Sequence, residues 1–573
     1  MKLMTCAMLL TFLLGASTTA RASDRAFEEL ANEYIAVLFE MNPEYATSIG
    51  EHRYDHRLTD RSAEAIRKGV EVNRSFHSRL EQISPESLSE ANAIDYEILK
   101  LNLERAIFED EELHEWQWNP LYYNMGNGIY GLISRDFAPV EERLESLIGR
   151  LGDVPAIVAA AKANLQDPPK IHTETAIRQN KGNISLVTST LDEFIPEGAE
   201  SDPLKAARQA ALEALEAYGE WLETDLLPRS NGEFRLGDAM WRKKLRFTLD
   251  SDLSKEAIYR RSVMDLAATQ RAMYETALPL YKAYFPEETD AAKLGNAKHV
   301  CKTVLDQLAE ERPNNENIVE RARITVEEAT AFVRKNKLVS VPDEPVKLIV
   351  MPEFQRGVAV AYCDAPGPME KELETFYAIS PTPEDWSEER TESFFREYNN
   401  YMLYDLTVHE AMPGHYLQLS HSNRFEAPTL IRSIFYSGLF VEGWAVYSEK
   451  VMAEAGFGGP QLRMQQLKMR LRVIINAIID QKIHTEGMTE EQAIAMMMDQ
   501  GFQEDGEASG KWRRACLTST QLSTYFVGSA EVEDIVEAYR SKHGDKVDQK
   551  KMHDTMISFG SPSPRFVRQM MGF

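Results

Sequence analysis

Apolar residues recur three and four positions apart along most of the chain, the spacing of amphipathic helices and not of strands. Over residues 26–113 this pattern predicts helices, with proline only at breaks. It resumes over 141–165, where Leu144, Leu147, Leu151 and Val154 fall on one face and Pro155 predicts a break. Between these regions an aromatic-rich loop is expected, from Trp116, Trp118, Tyr122 and Tyr123 and from Gly126, Gly128 and Gly131. Long helices are expected over 206–226 and 255–278. Two more lie between 288 and 337, the first opened by Thr289 or Asp290.

Strand-like runs are confined to 346–351, 358–362 and 375–379, which predict a small sheet just before the segment with the densest candidate chemistry. No fixed-period repeat and no low-complexity linker divides the chain. The expected architecture is therefore mostly α. One helical body spans 23–573, with an N-terminal part over about 23–340 and a catalytic part over about 341–573 that embeds the small sheet.

The first 22 residues stand apart. Lys2, a short apolar run through Leu14 and the small-residue ending Ala20-Arg21-Ala22 read as a cleavable export signal, with a retained anchor as the alternative. Cys6 precedes the apolar run, which is not the placement of a lipidated cysteine. The expected location is periplasmic or secreted, and no transmembrane segment is expected in the mature chain. A net charge of −26 repels phosphate backbones, so nucleic acid is excluded as a partner. Cys301, Cys363 and Cys516 form an odd, widely spaced set without CxxC pairs. That argues against a disulfide framework and a thiolate metal site, while leaving one disulfide open.

The chemistry gathers in YMLYDLTVHEAMPGHYLQLS, residues 401–420. A His-Glu pair ending a helical run is the start of an H-E-x-x-H zinc motif, in which two histidines one turn apart share an ion and the glutamate serves as base. Here the second histidine, His415, is six residues beyond His409. On an ideal helix turning about 100° per residue, six positions leave the rings roughly 120° apart, too far for one ion. Pro413 and Gly414 lie between them, and together they can break the helix and return His415 to the metal face. Glu442, in EGWAVYSE, is the candidate third ligand, with Gly443 and Ala445 small enough for close packing against the first helix. Glu449 and Asp405 are expected to hold a ligating histidine from behind. Glu410 is the candidate general base and Tyr525 the oxyanion donor, with His553 and Arg514 behind it. His52 and His56 stand four apart but in polar surroundings that favour a solvated face, and His421 and His484 read as satisfied helix residues.

The segment HEAMPGHYLQ resembles the H-E-x-x-P-G-H-x-x-Q signature of a bacterial family known as domain of unknown function 885, grouped with the gluzincin-like metallopeptidases. Residues 137–140 and 150–155, the stretch from Tyr362 to Tyr377, EGWAVYSE, STYFVG and FGSPSP follow the family's order over nearly the whole mature chain. The resemblance implies a zinc-peptidase-like helical fold with a deep cleft, zinc (one per chain) on His409, His415 and Glu442, and Glu410 as base. It also implies a substrate role for Tyr525 and a cleft-bordering strand around Tyr362. Thr524 replaces the family's serine, Cys363-Asp364-Ala365 replaces the usual continuation, and Ser519-Thr520 stands where proline and glycine are usual.

The function expected is hydrolysis of short peptides by an exported zinc metallopeptidase. A zinc-dependent amidase on a non-peptide or acylated amino-acid substrate would use the same residues. A silent peptide-binding protein would not need Glu410.

Overall fold

Helices begin where the sequence supplies a capping side chain ahead of a buried stripe. Ser89 accepts from the Asn92 amide, Asn399 from those of Tyr401 and Met402, and Ser437 from that of Phe440. A computed structural model describes residues 2–351, 360–383, 386–544 and 547–573, with residues 2–21 described by their backbone alone. The fold is mostly α with one small sheet, as the periodicity predicts. Among the described residues no helix is long and apolar enough to cross a membrane.

The chain packs as two compact units. The first runs from the N-terminus to Glu233 and includes Pro366–Leu373 and Glu426–Phe435. Its elements include α1 (Lys2–Met41), α2 (Glu90–Phe108), α3 (Val140–Asn164) and α4 (Asp202–Trp221). Helix α1 continues through the Ala22–Ser23 bond where processing is expected. The break expected at Pro155 is absent, and α3 runs through it. Proline removes one amide donor, while Leu147, Leu151, Val154, Val158 and Ala161 keep one buried stripe on both sides of it. The aromatic-rich stretch is a chain of short helical turns, Glu115–Trp118, Pro120–Tyr123 and Gly126–Tyr130.

His52 does not lie on a solvated face. Its Nδ1 meets Asp55 at 2.8 Å, its Nε2 meets Glu370 at 2.9 Å, and its ring stacks on Phe137 at 4.2 Å. Elsewhere in this unit Arg432 Nε donates to Asp95 at 2.9 Å with both side chains buried.

The second unit comprises Phe234–Ala365, Glu374–Phe425 and Tyr436–Phe573. It contains α5 (Lys255–Tyr284), α6 (Ile318–Asn336), β1 (Lys347–Val350), β2 (Ala361–Asp364) and β3 (Phe376–Ile379). Then come α7 (Asn400–Glu410), α8 (His415–Ser422), α9 (Gly438–Glu454), α10 (Gly459–Glu486), α11 (Asp505–Thr518), α12 (Ser523–His543) and α13 (Gln549–Met556). Helix α10 buries residues on nearly every face and forms the centre of this unit. All three strands fall where they are expected, although β2 sits slightly later, and Val358 and Ala359 lie outside the described residues. Strand β3 is central, parallel to β1 and antiparallel to β2, with Tyr362 opposite Ala378. The sheet packs on α6 and α7, and Tyr377 Oη meets Thr407 Oγ1 of α7 at 3.2 Å.

Candidate metal centre

The interruption read from Pro413-Gly414 is the device that builds the site. Helix α7 ends at Glu410, and Ala411 leaves the helical region with φ −122° and ψ −76°. A cis Met412–Pro413 bond follows, and α8 starts at His415. The Gly414 amide folds back to donate to the Val408 carbonyl at 2.9 Å. A Cβ at Gly414 would lie 1.9 Å from the His409 carbonyl oxygen, so only glycine fits the turn. The result sets the His409 and His415 rings 4.6 Å apart at 85°.

Glu442 arrives from α9, and one carboxylate oxygen faces both rings. Its Oε2 is 3.4 Å from His409 Nε2 and 3.5 Å from His415 Nε2. Four ligands at about 2.1 Å from a tetrahedral zinc lie about 3.4 Å from one another. The donor set and its spacing therefore fit such an ion. The same Glu442 oxygen is buried and makes no hydrogen bond within the protein, so its lone pairs are unspent. Burial pushes the Glu442 carboxyl up, but the attraction of the two facing histidines outweighs it and holds the group well below the usual carboxylate range. His409 shows the converse. Burial disfavours its charge, yet Glu442 and Glu449 raise it well above an ordinary histidine. The protein concentrates negative charge here and draws protons into positions that a cation can take.

Glu449 stands where the sequence puts it, accepting from His409 Nδ1 at 2.7 Å, which leaves Nε2 for a metal. Asp405 reaches no histidine. It is buried beside Glu449, neither oxygen hydrogen-bonds within the protein, and burial and then Glu449 push its carboxyl well up. Glu410 is buried at the end of α7, next in sequence to His409.

Tyr525 on α12 lies within electrostatic reach of Glu442, and its hydroxyl accepts from Arg514 at 2.8 Å and Gln521 at 3.3 Å. Gly443 does not pack against α7 as expected. A Cβ there would lie 2.4 Å from the backbone of Gly528, so the two glycines let α9 and α12 touch backbone to backbone. That contact sets Glu442 beside Tyr525. His553 does not join the cluster. Its Nδ1 donates to the Leu338 carbonyl at 2.8 Å and its Nε2 accepts from Tyr447 at 3.0 Å, while burial lowers it to about 4. It is a neutral core histidine. Tyr362, half-buried, lies on β2, which packs against α7 and α8. His484 and His421 bond the carbonyls of Ala515 and Ser340, as satisfied helix residues do. Among the described residues Cys301, Cys363 and Cys516 form no disulfide.

Three supporting roles escape sequence reasoning. Trp444 Nε1 donates to the Pro413 carbonyl at 2.9 Å, so α9 braces the bend that carries His415. Gln418 donates to Ser561 Oγ at 2.7 Å, and the Ser561 carbonyl accepts from the Ser437 amide at the start of α9. The signature glutamine and the FGSPSP segment thus tie α8 to the helix that bears Glu442. Asp480 accepts from the Thr520 amide at 2.8 Å and from Ser523 at 2.7 Å. It steadies a turn in which Ser519 and Thr520 take φ 37° and 62°, the left-handed region that explains the glycine usual there. Trp444, Gln418 and Ser561 lie in the segments EGWAVYSE, HEAMPGHYLQ and FGSPSP, while Asp480 lies in none of them and no sequence signal marks it.

A mostly helical protein with a buried two-histidine, one-glutamate cluster on a proline–glycine bend is the class that fold and site define. The chain belongs to the family described as "Bacterial protein of unknown function (DUF885)", which matches residues 43–571. It is similar to a solved structure from Shewanella oneidensis described as a "putative lipoprotein of unknown function", at 33% identity and a TM-score of 0.80, covering 95% of this chain and 99% of that one. A second similar structure, a "putative lipoprotein" from Colwellia psychrerythraea, shares 18% identity with a TM-score of 0.77 over 96% of this chain and 98% of its own. No curated protein matches the chain.

Proposed function

We propose that this chain is an exported, gluzincin-type zinc hydrolase that cleaves short peptides, with His409, His415 and Glu442 holding the metal and Glu410 as general base. The observation that carries the reading is the unspent Glu442 oxygen, 3.4 Å and 3.5 Å from two histidine nitrogens, with a buried glutamate next in sequence to the first of them. Zinc, when bound there, would lower the pKa of a water and polarise a carbonyl.

Every other step falls to side chains. Glu410 takes the proton of the attacking water and passes it to the leaving nitrogen. Glu449 fixes the tautomer of His409. Tyr525 already accepts two hydrogen bonds at its oxygen, so its own proton points elsewhere and is available to a developing oxyanion. Among the described residues β2 is an edge of its sheet beside α7, a position from which Tyr362 and its neighbours would pair with an extended peptide backbone. Export is supported by the N-terminal leader pattern and by the lipoprotein label that both structural neighbours carry.

Elemental analysis tests the reading. Purified protein offered zinc is expected to hold about one ion per chain, and His409→Ala and Glu442→Ala to hold almost none. Glu410→Gln is expected to keep the ion while cleavage of a peptide library falls about 100- to 10,000-fold. Folded wild type that takes up no zinc overturns the proposal.

A further inference from the structure

Arg514 differs from its deeply placed neighbours Lys468 and Arg472 in the second unit. Lys468 and Arg472 both pair with Glu397, at 2.8 Å for the lysine. Arg514 donates only to two neutral oxygens, Tyr525 Oη at 2.8 Å and Gln521 Oε1 at 3.0 Å, and no described carboxylate lies within ion-pairing distance of it. Both bonds use the same nitrogen, Nη2, so the other edge of the guanidinium fork is unused. A mostly buried guanidinium without a counter-charge is costly unless something supplies one.

The neighbouring charges sharpen the point. Lys511, one turn earlier on α11, shares Glu507 at 3.6 Å with Arg472 at 3.7 Å. Within ion-pairing distance Lys468, Arg472 and Lys511 share two carboxylates, Glu397 and Glu507, while Asp405 and Glu449 act on Arg472 from further off. The remaining acid that acts on Arg514 is Glu442, and that carboxylate is committed to the two histidines.

We propose that Arg514, braced by Gln521 and Tyr525, receives a carboxylate of the substrate next to the metal cluster. Resting on the peptidase reading, this makes the substrates peptides cut close to an anionic group, either the free C-terminal carboxylate or an acidic side chain. Lys511 adds to the attraction, and Asp480 holds the turn that presents Gln521.

Matched peptides with a free C-terminus, a C-terminal amide, and a C-terminal amide preceded by glutamate test it. Wild type is expected to favour the free acid over the amide on the order of 100-fold in kcat/KM. Arg514→Gln is expected to bring that ratio near one, and Arg514→Lys to fall between. A glutamate peptide amide that restores Arg514-dependent cleavage assigns the side-chain source; one that does not assigns the terminal carboxylate. Equal cleavage of all three by wild type, or a ratio kept in Arg514→Gln, overturns the inference. Calorimetry separates it from the peptidase reading. N-acetyl amino acids, but not their amides, should bind wild type and lose binding in Arg514→Gln even if no peptide is cut. Absence of any carboxylate binding by folded wild type overturns the inference on its own.

Discussion

In the first unit, Arg432 and Asp95 are 2% and 0% exposed and their bonds close on one another. Arg432 donates to Asp95 Oδ1 and to the Ala91 carbonyl, and the Thr429 hydroxyl donates to Asp95 Oδ2. In the second unit Glu449 and Asp405 are as deeply placed, with His409 and Glu442 more open, and Asp405, Glu442 and Glu449 all keep oxygens with no hydrogen bond. Both regions bury charge. Burial pushes Asp95 up against the pull of Arg432, as the cost of desolvation requires, yet every partner is present. The first network is closed on itself; the second leaves oxygens open, which is what the proposed cation site requires.

The largest test of this contrast is Asp95→Ala. It leaves Arg432 buried and unpaired, so urea unfolding should show a loss of about 3–5 kcal/mol. Zinc content should stay at wild-type level in the folded protein; a matching loss of zinc breaks the contrast. Gly414→Ala is the reciprocal case. The new methyl meets the His409 carbonyl at 1.9 Å. Zinc affinity is expected to fall at least about tenfold while unfolding loses only about 1–3 kcal/mol, of the order of other overpacked sites. Unchanged affinity would remove the bend from its role.

The smallest effect is on pH dependence. His409 is raised in the folded protein, so its contribution is full below its unfolded value near 6.5 and is lost as pH rises through the folded value. Asp405, also raised, has the same sign from about 3.8 upward. Metal-free protein should therefore lose stability from pH 6 to 8, by up to about 1.4 kcal/mol per pH unit for each proton involved. Zinc displaces the proton of His409 but not that of Asp405, which is no ligand, so loaded protein should lose the His409 share of this slope. What remains includes His52 in the first unit, which Asp55 and Glu370 hold up to about 9 against burial, and Glu531, which burial raises to about 7. His52→Gln should remove its own share alone, and a slope that zinc leaves untouched would sink the assignment to His409.

Much of this was legible in the chain. The helical period, the three strand runs and the trio of His409, His415 and Glu442 each rest on local signals, as does Glu449 two turns beyond Glu442 on one helix. What was hidden depends on partners far away in sequence. The partner of Gly443 is Gly528, and that of His52 is Glu370. His553 looked catalytic because titratable residues near a motif carry no sign of whether both nitrogens are already taken. Pro155 looked like a break because one lost amide is visible in sequence and a buried stripe on both sides is less so.

The contact between Gly443 and Gly528 has one more consequence, mechanical and not chemical. Two helices that meet backbone on backbone have no side chain between them to flex, so they move as one stiff lever. Glu442 sits beside the fulcrum on one arm and Tyr525 less than a turn from it on the other. Under the proposed reading, a shift of Glu442 on taking an ion would be passed to the tyrosine with little damping. The Tyr525 hydroxyl would then be geared to whether the ion is in place.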